Sequence, residues 1–172
     1  MRQKLFKREY QMINAGEEAP DFLLPAHFGE PVKLSSFKGK KNVVLSFHIH
    51  SFTGGWTHQV SSFRLYNEAF EETDTQVLGI SCNSKAVQAA FAGTFGSIPY
   101  PILSDFYPHG KATQSFGVFN DETGVPKRSV FLIDKKGIVR FSKIYDQAID
   151  LNPSDILAEV NKLWLQLFDS FL

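Results

Sequence analysis

Residues with chemical potential concentrate in one stretch, Phe47-His48-Ile49-His50-Ser51-Phe52-Thr53-Gly54-Gly55-Trp56-Thr57-His58-Gln59. His48, His50 and His58 are transition-metal ligands by type. His48 and His50 stand two apart at the end of an apolar run, which predicts that they point to the same side. No acidic or thiol fourth ligand is evident beside them, so a polar, satisfied rim is the competing reading. Cys82 is the only sulfur nucleophile. A single thiol excludes an intrachain disulfide and an internal pair of attacking and resolving thiols. Cys82 follows Ser81 at the end of a second apolar run. The carboxyl ends of strands face the ligand crevice in open sheets, so it either borders a site or is a small buried hydrophobe. The Gly54-Gly55 pair lacks the spacing and the lysine of a phosphate-binding loop.

The elements that must position these residues can be read from periodicity. Asn42 to Ile49, with Val43, Val44, Leu45 and Phe47, is predicted as a strand covered on both faces. Thr53-Gly54-Gly55 marks a break and a helix start, and His58 to Glu72 reads as a helix through Val60, Phe63, Leu65, Tyr66 and Phe70. Gln76 to Ser81 is a second buried strand. Asn83-Ser84 can cap a helix running to about Phe95. Pro99 to Leu103 is a short strand that its two prolines restrict to an edge or an end. Ser129 to Asp134 and Ile138 to Tyr145 form a hairpin through Lys135-Lys136-Gly137, the glycine being placed for positive φ. Asn152-Pro153-Ser154-Asp155 opens a last helix, with Ile156, Leu157, Val160, Leu163, Trp164, Leu167 and Phe168 on its apolar face. Alternating strands and helices followed by a hairpin predict an α/β fold with a central mixed β-sheet flanked by helices on both faces.

A chain of 172 residues fits one domain with a full core. Residues 1–15 are read as an N-terminal arm and 16–172 as the domain. The 18 basic and 18 acidic side chains balance, so no basic field calls for nucleic acid. No apolar stretch is long enough to span a bilayer, and no basic amphipathic stretch calls for a membrane surface. The basic start, Met1 to Lys7, lacks the apolar run of a signal peptide. A cytoplasmic protein is the expectation.

Several segments, in order, carry a resemblance. They are Ala19-Pro20-Asp21-Phe22-Leu23-Leu24, Val32 to Lys40, Val77-Leu78-Gly79-Ile80-Ser81, Ile102-Leu103-Ser104-Asp105, Phe116-Gly117-Val118 and Arg128 to Asp134. Together they resemble the peroxiredoxins, thiol peroxidases of thioredoxin-like fold, from about Gly16 to the end of the last helix. The family's site pattern is proline, three residues, threonine, two residues and the peroxidatic cysteine. Here Ile49 holds the proline position, Thr53 the threonine position and Trp56 the cysteine position.

The resemblance implies thiol- or selenol-dependent reduction of a hydroperoxide, with regeneration by an external thiol, a homodimer and no cofactor. A thiolate would attack one peroxide oxygen. A helix N-terminus and the family's arginine, matched by Arg128, would favour the charged thiol. Thr53 would hydrogen-bond the peroxide. Trp56 cannot supply the nucleophile, because indole offers one N–H donor and no acid near neutral pH. The chain as it stands is therefore expected to be inactive as a thiol peroxidase. Gln59, in place of a glutamate common in the family, is a further departure.

Three readings stay open. Position 56 is natively cysteine or selenocysteine, whose codons each lie one base from that of tryptophan. Alternatively the chain is a non-enzymatic relative with a plugged pocket, binding a partner or a small anion beside Arg128. The third reading is a metal-binding module of His48, His50 and His58.

Overall fold

The computed structural model describes residues 10–169, with 55, 56 and 166–169 described by their backbone only. The elements are β1 (Leu23–Leu24), β2 (Val32–Lys33), β3 (Asn42–Phe47), α1 (Gly54–Glu72), β4 (Thr75–Ser81), α2 (Lys85–Thr94), β5 (Ile102–Ser104), α3 (Lys111–Ser115), β6 (Phe119–Asn120), β7 (Val125–Pro126), β8 (Ser129–Ile133), β9 (Val139–Ile144) and α4 (Pro153–Asp169).

The apolar run in β3 places it at the centre of a five-stranded sheet of order β5-β4-β3-β8-β9. All six of its residues are buried. It pairs in parallel with β4 and antiparallel with β8, while β5 continues the parallel side and β9 the antiparallel side. The sheet is mixed, as the residue pattern predicts, and the fold is thioredoxin-like.

Alternation along the strands divides the core into two clusters. Val43, Leu45, Phe47, Leu78, Ile80, Phe131 and Ile133 meet Phe22, Leu24, Leu34 and the α3 region on one face. Val44, Val77, Ile102, Val130 and Leu132 meet α1, α2 and α4 on the other. Helices thus lie on both faces, three long ones on one side and the short α3 on the other.

Within α1, Val60, Phe63 and Phe70 are buried, but Leu65 is 81% exposed. Leu65 stands off the i, i+3, i+4 series that faces the sheet. The helix also begins at Gly54, ahead of the expected periodic run. In β5 the ladder runs from Ile102 to Ser104, leaving both prolines outside it. Ser84 alone caps α2, its hydroxyl accepting from the Val87 N–H. Gly137 takes a φ of +84° in the β8–β9 turn, as expected. Pro153 begins α4, whose Ile156 and Val160 are buried, while Leu167 and Phe168 lie outside the described side chains.

Residues 10–15, read from sequence as part of the arm, lie against the domain. The Tyr10 ring meets Phe119 edge-on at 5.9 Å, and the Ile13 N–H donates to the Phe116 carbonyl. No helix among the described residues is long and apolar enough to cross a membrane.

Candidate active site

The site forms where β3 ends and the chain passes through residues 48–53 into α1. Antiparallel pairing sets Phe47 opposite Ser129, and the register carried one residue further sets His48 opposite Arg128. By alternation both point away from the Phe47 face, toward the side covered by α1. The two residues that the sequence separates by eighty positions are therefore neighbours across one strand pair.

His48 is 1% exposed. Burial pushes its imidazole down to about 3, the Arg128 charge acts in the same direction, and a hydrogen bond with the Ser46 backbone opposes both. His48 is thus a neutral ring beside a cation. Burial also holds the Arg128 guanidinium below its usual value. One of its terminal nitrogens donates to the Asp146 carbonyl at 3.2 Å. Its Nε–H is buried and has no hydrogen-bond partner among the described residues.

From α1, Gln59 reaches down onto the same face. Its Nε2 donates to Ser46 Oγ at 2.7 Å and to the Phe47 carbonyl at 3.2 Å. Its Oε1 is buried without a partner among the described residues. A glutamate here would carry a charge onto this face and no amide donor for Ser46, so the amide changes both the charge and the hydrogen bonding of this face.

Thr53 is the N-cap of α1 by backbone conformation, yet its side chain makes no capping bond. Its hydroxyl donates instead to the His50 carbonyl at 2.9 Å, which leaves its lone pairs as acceptors. No acidic side chain occupies the first turn. The helix start therefore retains amide donors and a positive dipole end at the turn that contains position 56. The Trp56 ring, and the expectation that it fills or leaves a pocket, lie outside the described side chains.

Beside Arg128 lies an open cleft of about 650 Å³. Ile49, Ile144 and Ile149 supply apolar wall, and His50, Lys127 and Arg128 supply basic groups. Tyr145 closes one side; its N–H donates to the Arg128 carbonyl at 2.9 Å. Burial, with Asp155 adding to it, pushes the Tyr145 phenol up to about 12, so it remains a neutral donor.

The three histidines are not brought together. His48 is buried, whereas His50 and His58 are exposed. The strand ends at Phe47, so period two does not extend to His50. No cluster of three histidine, cysteine or acidic side chains suited to a metal ion occurs among the described residues.

Cys82 sits half-buried just past β4, on the side of Gly110 and Thr113. Burial and the Asp105 carboxylate push its thiol up to about 11, against a hydrogen bond with Thr113. Its surroundings suppress the thiolate.

Sequence reasoning missed Asn83 as more than a helix cap. Its side-chain carbonyl accepts from both the N–H and the hydroxyl of Ser51, at 2.8 and 2.9 Å. An Asn-Ser pair at a strand end is a signal for a cap only, since the partner lies far away in sequence.

A family model described as the AhpC/TSA family matches residues 15–142. Alkyl hydroperoxide reductase E of Mycobacterium bovis is 37% identical over 133 residues, covering 77% of this chain and 86% of that protein. The chloroplastic 2-Cys peroxiredoxin BAS1 of Hordeum vulgare is 32% identical over 164 residues, covering 90% of this chain and 77% of that protein. Among solved structures, peroxidoxin BcpB from Mycobacterium tuberculosis superposes with a TM-score of 0.79 at 31% identity, over 87% of this chain and 97% of that one.

Proposed function

The chain belongs to the AhpC/TSA family, the peroxiredoxins, and from that premise we propose that position 56 is the reacting position of a hydroperoxide-reducing site. With tryptophan there, the site binds but does not reduce. With a cysteine or selenocysteine at 56, the thiolate or selenolate attacks one peroxide oxygen. The O–O bond breaks, and the departing alkoxide takes a proton to leave as alcohol. The product is a sulfenic or selenenic acid. Two equivalents of an external thiol return it to the starting state and leave as a disulfide with water, because the chain has no partner cysteine suited to resolve it. A homodimer in the cytoplasm is the proposed setting.

One observation carries this reading. Arg128 holds a buried Nε–H with no partner among the described residues, beside a histidine kept neutral, at the strand end that leads into the loop before position 56. A buried N–H of a cation left without an acceptor is costly to maintain, and a polarised peroxide oxygen would supply one. The apolar walls of the adjoining cleft, Ile49, Ile144 and Ile149, suit the organic part of an alkyl hydroperoxide, the substrate class named for the mycobacterial relative.

The test is Trp56→Cys in a Cys82→Ser background. Hydroperoxide is expected to oxidise the introduced thiol stoichiometrically, and the parent chain is expected to show no turnover. Arg128→Gln in that background should slow oxidation roughly 100-fold, as removal of a single transition-state donor does elsewhere. An introduced thiol that survives millimolar hydroperoxide would sink the assignment.

A second reading has its own support in the uncapped start of α1. The same donors suit a small anion, which makes the chain a binding relative without catalysis. Phosphate titrated into the parent chain separates the two readings, since only this one requires saturable binding that Arg128→Gln abolishes.

A further inference from the structure

We propose that Asn83 is a positioning residue for the site: its side-chain carbonyl clamps Ser51, and through it sets where Thr53 and the first turn of α1 stand relative to Arg128. This rests on position 56 being the reacting position.

Residues 48–53 leave the sheet at the end of β3 and must turn sharply to start α1. The turn is made at Phe52, whose φ is +64°. A bulky residue in the left-handed region is strained and persists only where its neighbours hold it. Three contacts do so. The Thr53 hydroxyl ties back to the His50 carbonyl within the loop. The Phe52 ring stands edge-on to Phe91 of α2, with centroids 5.1 Å apart. The third contact is the clamp: Ser51 is 8% exposed, and both of its donors end on Asn83 Oδ1.

Asn83 is itself fixed to the ends of β4 and of β5, the strand beyond it. Its N–H donates to Ser81 Oγ at 3.3 Å, at the end of β4, and its backbone carbonyl accepts from Ser104 Oγ at 2.8 Å, at the end of β5. Ser81 Oγ is also held by Gln88 Nε2 at 2.9 Å, and Gln88 spends its other amide hydrogen on the Leu103 carbonyl at 2.8 Å. A polar belt therefore runs from α2 and β5 through β4 to the site loop, and Asn83 is its last link. Removing the Asn83 carbonyl strands two donors of Ser51. The loop, which carries the strained Phe52, is the part free to move in response.

The test uses the indole at position 56 as reporter, in a Trp164→Phe background that leaves it the sole tryptophan. Asn83→Ala is expected to shift the Trp56 emission maximum and change its acrylamide quenching, with the far-UV spectrum unchanged. Asn83→Asp, which keeps the acceptor, is expected to restore both. Parental emission and quenching in Asn83→Ala would overturn the proposal, as would an equal shift in Asn83→Asp. Should Asn83→Ala not fold, Ser51→Ala deletes one donor only and is expected to give a smaller shift in the same direction; no shift there would overturn it. In the Trp56→Cys, Cys82→Ser background, Asn83→Ala should slow thiol oxidation by roughly tenfold, as misplacement of a reacting group does, with rescue by Asn83→Asp. If Trp56→Cys is inert to hydroperoxide, the assignment of position 56 fails, while the fluorescence arm still decides whether the clamp holds the loop.

Discussion

His48 stays neutral because water cannot reach it and because Arg128 is its neighbour. The unfolded chain protonates this histidine near pH 6.5 and the folded chain only near 3. Between those values the unfolded state binds more protons, so stability falls as pH falls from 6.5 and the loss is complete below about 3. Replacing His48 with Asn should flatten the dependence of urea midpoints on pH across that window. An unchanged slope would mean that other groups carry it. Cys82 makes the opposite case at the same scale. With its thiol pushed up to about 11, alkylation by iodoacetamide should be slow at pH 7 and rise about tenfold per pH unit up to that value. Rapid labelling at neutral pH would contradict the suppressed thiolate.

At the level of elements, the left-handed turn after α3 is the one that most needs glycine. Gly117 has a φ of +73°, and a Cβ there would collide with the backbone of Gln11 and Met12. Gly117→Ala should cost about 2 kcal/mol or more, from positive φ together with the clash, read as a lower melting temperature and a loosened 10–15 segment. The residue types announce the long elements well. β3, β4, the β8–β9 hairpin, α2 and α4 follow from apolar period and turn residues, because burial of one or both faces imposes that period. The two-residue strands β6 and β7 and the five-residue α3 are too short to express any period. The start of α1 at Gly54 follows from the Thr53-Gly54-Gly55 break, although the two glycines carry no apolar period of their own. At the site, Thr53 and Arg128 can be matched by family pattern alone. The pairing of His48 with Arg128 is a matter of strand register, and the hold of Asn83 on Ser51 joins residues 32 apart; neither leaves a mark in local sequence.

For the whole molecule, one sheet serves two apolar clusters, so neither can unfold and leave the other intact. Phe131, fully buried against Phe47 and Phe116, belongs to one cluster, and Phe63, fully buried against Phe70, to the other. Phe131→Ala and Phe63→Ala should each cost about 3–5 kcal/mol. Each should preserve a single transition, with near- and far-UV signals coincident. Separate transitions would show that the clusters are independent. The same double burial has a consequence for how the strands find their partners. Strands apolar on both faces carry no inside–outside alternation, so greasiness alone does not penalise a slip of one residue. The penalty comes from the ends of β8. Such a slip would drive the Arg128 guanidinium onto the face of Phe47 and Phe116, where it would meet apolar rings and a charge cannot stay. The arginine proposed to greet a peroxide is also a stop that holds the central strands in step.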